Sequence, residues 1–181
     1  MHETDADLAA LQDLLDQSMA HAGVHLRRII APARRLDAPE LCRRLEGMSL
    51  LALATVTADG RPRVSPVDGI FYRGAFYFGS APDSVKFHHI RVRPHVSATH
   101  LPDEHFAVTV HGSARVIDVA TPAQAGVRRA LLDIYVPRYG PEWETFLDRE
   151  TAYARIDAER MFVFAMDPDG EGPAAERPGA P

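Results

Sequence analysis

The sequence predicts a mainly β fold, a six-stranded antiparallel barrel with helices packed around it, and three observations predict it. From Ser49 onward the apolar spacing changes from a helical repeat to runs and alternations typical of strands. Consecutive strands are joined by tight-turn signals such as "ADG" and "RG", which suit antiparallel hairpins. The helical segments stand before, between and after groups of strands instead of alternating with each one, which disfavours a parallel α/β sheet.

The elements follow in order. "DADLAALQDLLDQSMAHAGVHLRRII" places Leu8, Leu11, Leu14, Leu15, Met19 and Ala22 at helical spacing, acidic first and basic last, as the helix dipole favours. "LDAPELCRRLEGM" is a second helix, with Asp37 as N-cap, Pro39 in the first turn and Gly47 as stop. "SLLALATVT" and "RPRVSPVDGIFY" are strands on either side of the "ADG" turn, and "AFYFGS" is a third strand after Arg73-Gly74. "GSAPDSVKFHHIRVRPHV" (79–96) then carries a short helix, started near Pro82 and Asp83 and ended by Pro94. "HVSATHL" is a fourth strand, and "HFAVTVHGSARVIDV" a long fifth with a bulge or bend at Gly112. "TPAQAGVRRALLDIYV" is a helix capped by Thr121, and "GPEWETFLDRE" is a short one. "YARIDAERMFVFAMD" closes the fold as a last strand or a bent pair. This gives an N-terminal helical extension over 1–48, a barrel domain over 49–167, and a disordered tail over 168–181, where Pro and Gly abound and apolar residues are few.

Composition narrows the function classes. The 181 residues are 46% hydrophobic and 25% charged, ordinary for a globular domain. A net charge of −5 argues against a nucleic-acid surface. No run of about 20 apolar residues suits a membrane span, and the acidic start "MHETDADLAALQDLL" is unlike a signal peptide. The single cysteine, Cys42, excludes an intrachain disulfide. These features point to a cytoplasmic protein.

Two stretches carry candidate chemistry. Residues 79–96 gather Ser80, Ser84, Lys86, Arg91 and Arg93 where a strand end meets a helix start, a place whose free N–H groups suit a phosphate. The same pattern also describes a surface helix with solvated cations. In "GRPRVSPVDG" two prolines interrupt a strand that also carries Arg61 and Arg63. That places the strand at an edge, or where backbone groups of Ser65 and Val67 meet a ligand. Nine histidines show no diagnostic ligand spacing, so no metal site is expected. Cys42 reads as a small buried hydrophobe. No elbow motif supports a triad of Ser65, His111 and Asp118, and Tyr139 and Trp143 read as packing residues.

Taken together, "LATVTADGRPRVSPV", "AFYFGS", "SVK", "IRVRPHVS" and "VHGSA", in this order between Leu50 and Asp118, resemble the flavin-binding split-barrel superfamily named for pyridoxamine 5′-phosphate oxidase. The resemblance implies a split β-barrel of the FMN-binding type. It also implies a homodimer with the cofactor at the interface and hydride transfer to or from a small organic substrate. By the same resemblance Lys86 and Arg63 hold the cofactor phosphate, and Ser80, Ser84 and Val85 line that end. Arg63, Val64, Ser65, Pro66, Val67 and Asp68 run along the ring edge, contacting it mainly through backbone. FMN is the expected cofactor, with the deazaflavin coenzyme F420 as alternative. A lysine of the oxidase is replaced here by Asp68, and the oxidase's C-terminal substrate segment has no counterpart after Asp118, so pyridoxamine phosphate is not the expected substrate. No general acid is evident, and His100, His111 and Tyr139 are the candidates. The competing expectation is a non-catalytic flavin or haem carrier, which for haem needs a histidine placed as axial ligand.

Overall fold

The computed structural model describes residues 2–166. Its strands are β1 (Met48–Val56), β2 (Pro62–Tyr72), β3 (Ala75–Ser80), β4 (His95–His100), β5 (Phe106–Ile117) and β6 (Ala152–Ala165). They close into a six-stranded antiparallel barrel in the order β1-β2-β3-β6-β5-β4, with β4 pairing back onto β1. The expected fold class is therefore correct. The last segment, expected as one strand or a bent pair, is a single strand that pairs with β3 at its start and with β5 along its length. The tail expected to be disordered lies outside the described residues.

Local sequence explains the turns. Arg73 and Gly74 both take positive φ, 49° and 78°, the backbone of a two-residue hairpin turn that matches strand twist. The Arg73 side chain then reaches Asp7, Nε to Oδ2 at 2.8 Å, and its hydrogen bond holds the Asp7 carboxyl down at about 2. The β5–β6 register shifts between His111 and Gly112, at the expected bulge.

Inward residues of all six strands form one core, with Leu51, Leu53, Val67, Phe76, Phe78, Val108 and Ile156 among them. Helix α1 (Asp5–Ala20) adds Leu11 and Leu15 to that core and packs on β6, so its apolar stripe braces its own barrel. The buried Ser18 hydroxyl accepts from Met161 N–H at 2.9 Å and donates to Leu14 C=O at 2.6 Å, pinning the helix to the strand. Two shorter helices follow, α2 (Val24–Ile29) and α3 (Ala38–Arg44); Asp37 caps α3 through a capping box, as expected.

Helix α4 (Val85–Val92) closes one end of the barrel with Phe87 and Ile90 in the core. A second core forms outside the wall, where α5 (Ala125–Tyr139) and α6 (Glu142–Arg149) cover Ile70, Ala75, Tyr77 and Tyr153. Helix α5 continues through Pro137 to Tyr139, past the expected end at Val136. Proline this close to the C-terminus removes a single helical bond, while Tyr135 stacks on Tyr139 and, at 4.5 Å and 10°, on Trp143. Trp143 is thus a packing residue, and Tyr139 is exposed beside it. No helix among the described residues is long and apolar enough to cross a membrane.

Candidate functional site

The split in the barrel wall is visible in the strand registers. β2 pairs with β1 from Pro62 to Ile70, but its ladder with β3 begins only at Gly69 opposite Phe78. From Pro62 to Asp68 the other edge of β2 therefore has no strand beside it. Pro62 and Pro66 fall in this segment, consistent with a proline's inability to donate to a ladder. Arg63, Val64 and Pro66 are exposed there, and Ser65 is half-buried. The expected interruption thus coincides with free backbone groups.

At its far end β3 turns into α4 through Ser80–Ser84. Ser84 is the N-cap residue of α4, yet its side chain makes no capping bond. Its Oγ is buried and has no hydrogen-bond partner among the described residues, a costly state for a hydroxyl. Lys86 in the first turn donates from Nζ to Ser80 Oγ at 3.1 Å and meets no carboxylate among the described residues. Val85 is exposed next to it. Arg63 forms no hydrogen bond or ion pair among the described residues, and its charge is felt at His89 on the same helix. The structure thus brings the open β2 segment, Arg63 and the Ser80–Lys86 turn to one end of the barrel.

The other cations of this segment have structural work. Arg91 donates to Pro82 C=O at 3.0 Å and lies over the Phe87 ring, while Arg93 donates to Val56 C=O at 2.9 Å. Of the three basic residues, Lys86 bonds a side chain, Ser80 Oγ, where Arg91 and Arg93 bond backbone carbonyls. His89 is buried and hydrogen-bonds Thr55 Oγ1 through Nδ1 at 2.9 Å; burial first, then the nearby cations, pushes its pKa down.

A free hydroxyl, an ammonium and the N-terminus of a helix form the donor set that a phosphate monoester takes. The free edge of β2 can hydrogen-bond the polar rim of a ring, with exposed Val64 and Pro66 as an apolar wall. The residues fit a phosphate-bearing planar cofactor.

The candidate acids are dispersed. His100 donates from Nδ1 to Leu50 C=O at 2.9 Å, leaving Nε2 as the acceptor of the neutral ring. His111 is engaged by Ser97 Oγ at 2.7 Å and lines an apolar cavity of about 320 Å3 with Leu26, Ile29, Phe162 and Phe164. Ser65 and His111 are separated by β1 and β4 in the wall, so the Ser65–His111–Asp118 triad does not form. Cys42 is buried, and burial pushes its thiol up to about 12, far from a nucleophile.

Asp68, Tyr135, Thr151 and Tyr153 form a polar group at the end of the open segment that residue patterns had not singled out as a cluster. In the sequence Tyr135 falls within a helix and Tyr153 at the start of the last strand, and only the fold brings them to Asp68.

The strand order, the open edge of β2 and the helices around the wall define a six-stranded split barrel. Residues 38–165 match the pyridoxamine 5′-phosphate oxidase family, and the chain belongs to that family. Solved structures agree at the level of fold. A conserved hypothetical protein, Rv2991, from Mycobacterium tuberculosis has a TM-score of 0.60 at 18% identity, over 80% of this chain and 97% of that one. The heme storage protein HutZ from Vibrio cholerae has a TM-score of 0.56 at 22% identity, over 70% of this chain and 95% of that one. A heme binding protein from Mycobacterium smegmatis has a TM-score of 0.55 at 20% identity, over 70% of this chain and 53% of that one. The sequence has no significant match among curated proteins.

Proposed function

We propose that this chain is a cytoplasmic FMN- or F420-dependent oxidoreductase, working as a homodimer on a small organic substrate. The observation that carries the reading is the buried Ser84 hydroxyl at the start of α4, without a hydrogen-bond partner among the described residues, in the turn where Lys86 Nζ donates to Ser80 Oγ and where β2 has an edge without a neighbouring strand. Lys86 and Arg63 hold the phosphate, and Ser80, Ser84 and Val85 line its pocket. Arg63, Val64, Ser65, Pro66 and Val67 orient the ring through backbone groups and exclude water from one face. When bound, the cofactor supplies the hydride chemistry, and the protein supplies position and electrostatics. A row of exposed apolar residues on the outer wall, Leu50 at 62% and Val64 at 68% exposure among them, supports a second copy covering the slot.

A second reading, a non-catalytic haem carrier, is favoured by one observation. His111 lines an apolar cavity with its Nδ1 held by Ser97, which leaves Nε2 for a ligand. The absorbance spectrum of the purified protein separates the two. A flavin or deazaflavin band taken up stoichiometrically supports the oxidoreductase, and a Soret band lost in His111→Ala supports the carrier.

A further inference from the structure

Asp68 is a half-buried carboxylate that meets no cation in an ion pair among the described residues. Half-buried charges normally find a partner, because losing water without one is unfavourable. Its neighbours are instead two phenols. The Tyr135 hydroxyl is directed at the carboxylate as a loose contact, and no closer hydrogen-bond partner satisfies it among the described residues although Tyr135 is only 1% exposed. Burial first, then Asp68, pushes the acidity constants of both Tyr135 and Tyr153 upward. Thr151 Oγ1 is also buried without a partner. It stands close by, because Thr151 and Tyr153 both pack onto Gly79, where a Cβ would come within 2.8 Å of the Tyr153 ring.

The walls of this spot are apolar. Leu50 is the cross-strand neighbour of Asp68 and is exposed, Pro66 is exposed two residues away, and Tyr139 is exposed and stacked on Tyr135. A carboxylate without a cation, two hydroxyls short of a good hydrogen-bond partner among the described residues, and exposed apolar neighbours thus stand together. We propose that Asp68, flanked by Tyr135 and Tyr153 at the inner end of the open β2 segment, is an acidic subsite that takes the cationic or N–H edge of a flat ligand and disfavours an anionic one. Asp68 makes the contact and Tyr135 is a positioning residue that aims the carboxylate. The assignment rests on the cofactor reading above only in placing the subsite beside the ring; the carboxylate and its idle neighbours belong to the chain alone.

Benzamidine and benzoate are flat rings of similar size that differ in charge, and an amidinium can meet a carboxylate through two N–H bonds. Both should be titrated calorimetrically into the protein, with and without FMN loaded, alongside a separate FMN titration. Benzamidine is expected to bind at least about tenfold more tightly than benzoate. Asp68→Asn should remove that preference, and Tyr135→Phe should reduce it while leaving thermal unfolding nearly unchanged, which a purely structural tyrosine would not do. Equal binding of the two probes, or a preference that survives Asp68→Asn, overturns the proposal. If the variant fails to fold, amide shift changes in the wild-type protein decide: shifts centred on Asp68 and Leu50 support the subsite, and shifts elsewhere overturn it. Failure to bind FMN with the benzamidine preference intact removes the cofactor reading and leaves the subsite standing.

Discussion

Replacing Ser84 by alanine separates a cofactor contact from a helix cap in one experiment. An N-cap serine usually stabilises its helix by about 1 kcal/mol through a bond to a backbone N–H. Ser84 makes no such bond, and its Oγ is buried without a partner among the described residues. Removing an idle buried hydroxyl removes a desolvation penalty of about 1–3 kcal/mol and loses nothing that the apo-protein uses. The apo-protein should therefore unfold at the same temperature or slightly higher. If the same hydroxyl donates to a cofactor phosphate, its loss costs about 1.5–3 kcal/mol of binding, or roughly ten- to a hundredfold in affinity. Thermal unfolding of the apo-variant and a fluorescence titration with FMN read the two terms independently. A fall in apo stability of about 1 kcal/mol or more would show that Ser84 caps α4 after all. Unchanged FMN affinity would remove Ser84 from the site.

Other perturbations test the framework around the site. Ser18→Ala should destabilise the protein by about 1–3 kcal/mol, because it strands the buried Met161 N–H; at about 2–4 °C per kcal/mol, calorimetry should record a drop of several degrees, and an unchanged Tm would mean α1 is not pinned there. His89 is held neutral with its pKa lowered by burial, so the unfolded chain binds more protons as the pH falls. The stability it contributes is present above the unfolded value of 6.5 and is lost as the pH falls through the lower folded value; urea unfolding of wild type and His89→Gln between pH 5 and 8 should show a steeper acid loss in the wild type, and parallel curves would refute it. Because the cofactor slot is proposed to span two copies, ligand should strengthen association by mass action, and sedimentation should find more monomer in the apo-form than in the FMN-loaded form. Equal dissociation in both forms would contradict an interfacial slot.

The strands were legible because apolar patterning and turn chemistry are local. β1 is legible as a nearly continuous apolar run, and the alternation of its outward Leu50, Ala52 and Ala54 with the buried Leu51, Leu53 and Thr55 shows only in the structure, while "RG" encodes its own hairpin. Barrel closure was less local: the pairing of β4 with β1, and of β6 with both β3 and β5, joins residues far apart in sequence. At the candidate site, motif order singled out Ser80, Ser84, Lys86 and Arg63, and the structure gathers the first three in the turn before and into α4. Pattern alone did not distinguish Lys86, which bonds Ser80 Oγ, from Arg91 and Arg93, which bond backbone carbonyls; that distinction depends on where α4 meets the barrel. Asp68 was visible as a departure, but the Tyr135 and Tyr153 beside it are brought there by α5 and β6, some seventy or more residues onward.

The central claim is that Lys86 and Arg63 hold the phosphate of a flavin-type cofactor, and spectral titration tests it most directly. FMN and F420 should each be titrated into wild type, Lys86→Ala, Arg63→Ala and the double variant, with circular dichroism to confirm that each is folded. One cofactor is expected to bind the wild type, each single substitution to weaken it by about ten- to a hundredfold, and the double substitution to weaken it further. Equal affinity in all four proteins, or no binding of either cofactor to the wild type, would contradict the account.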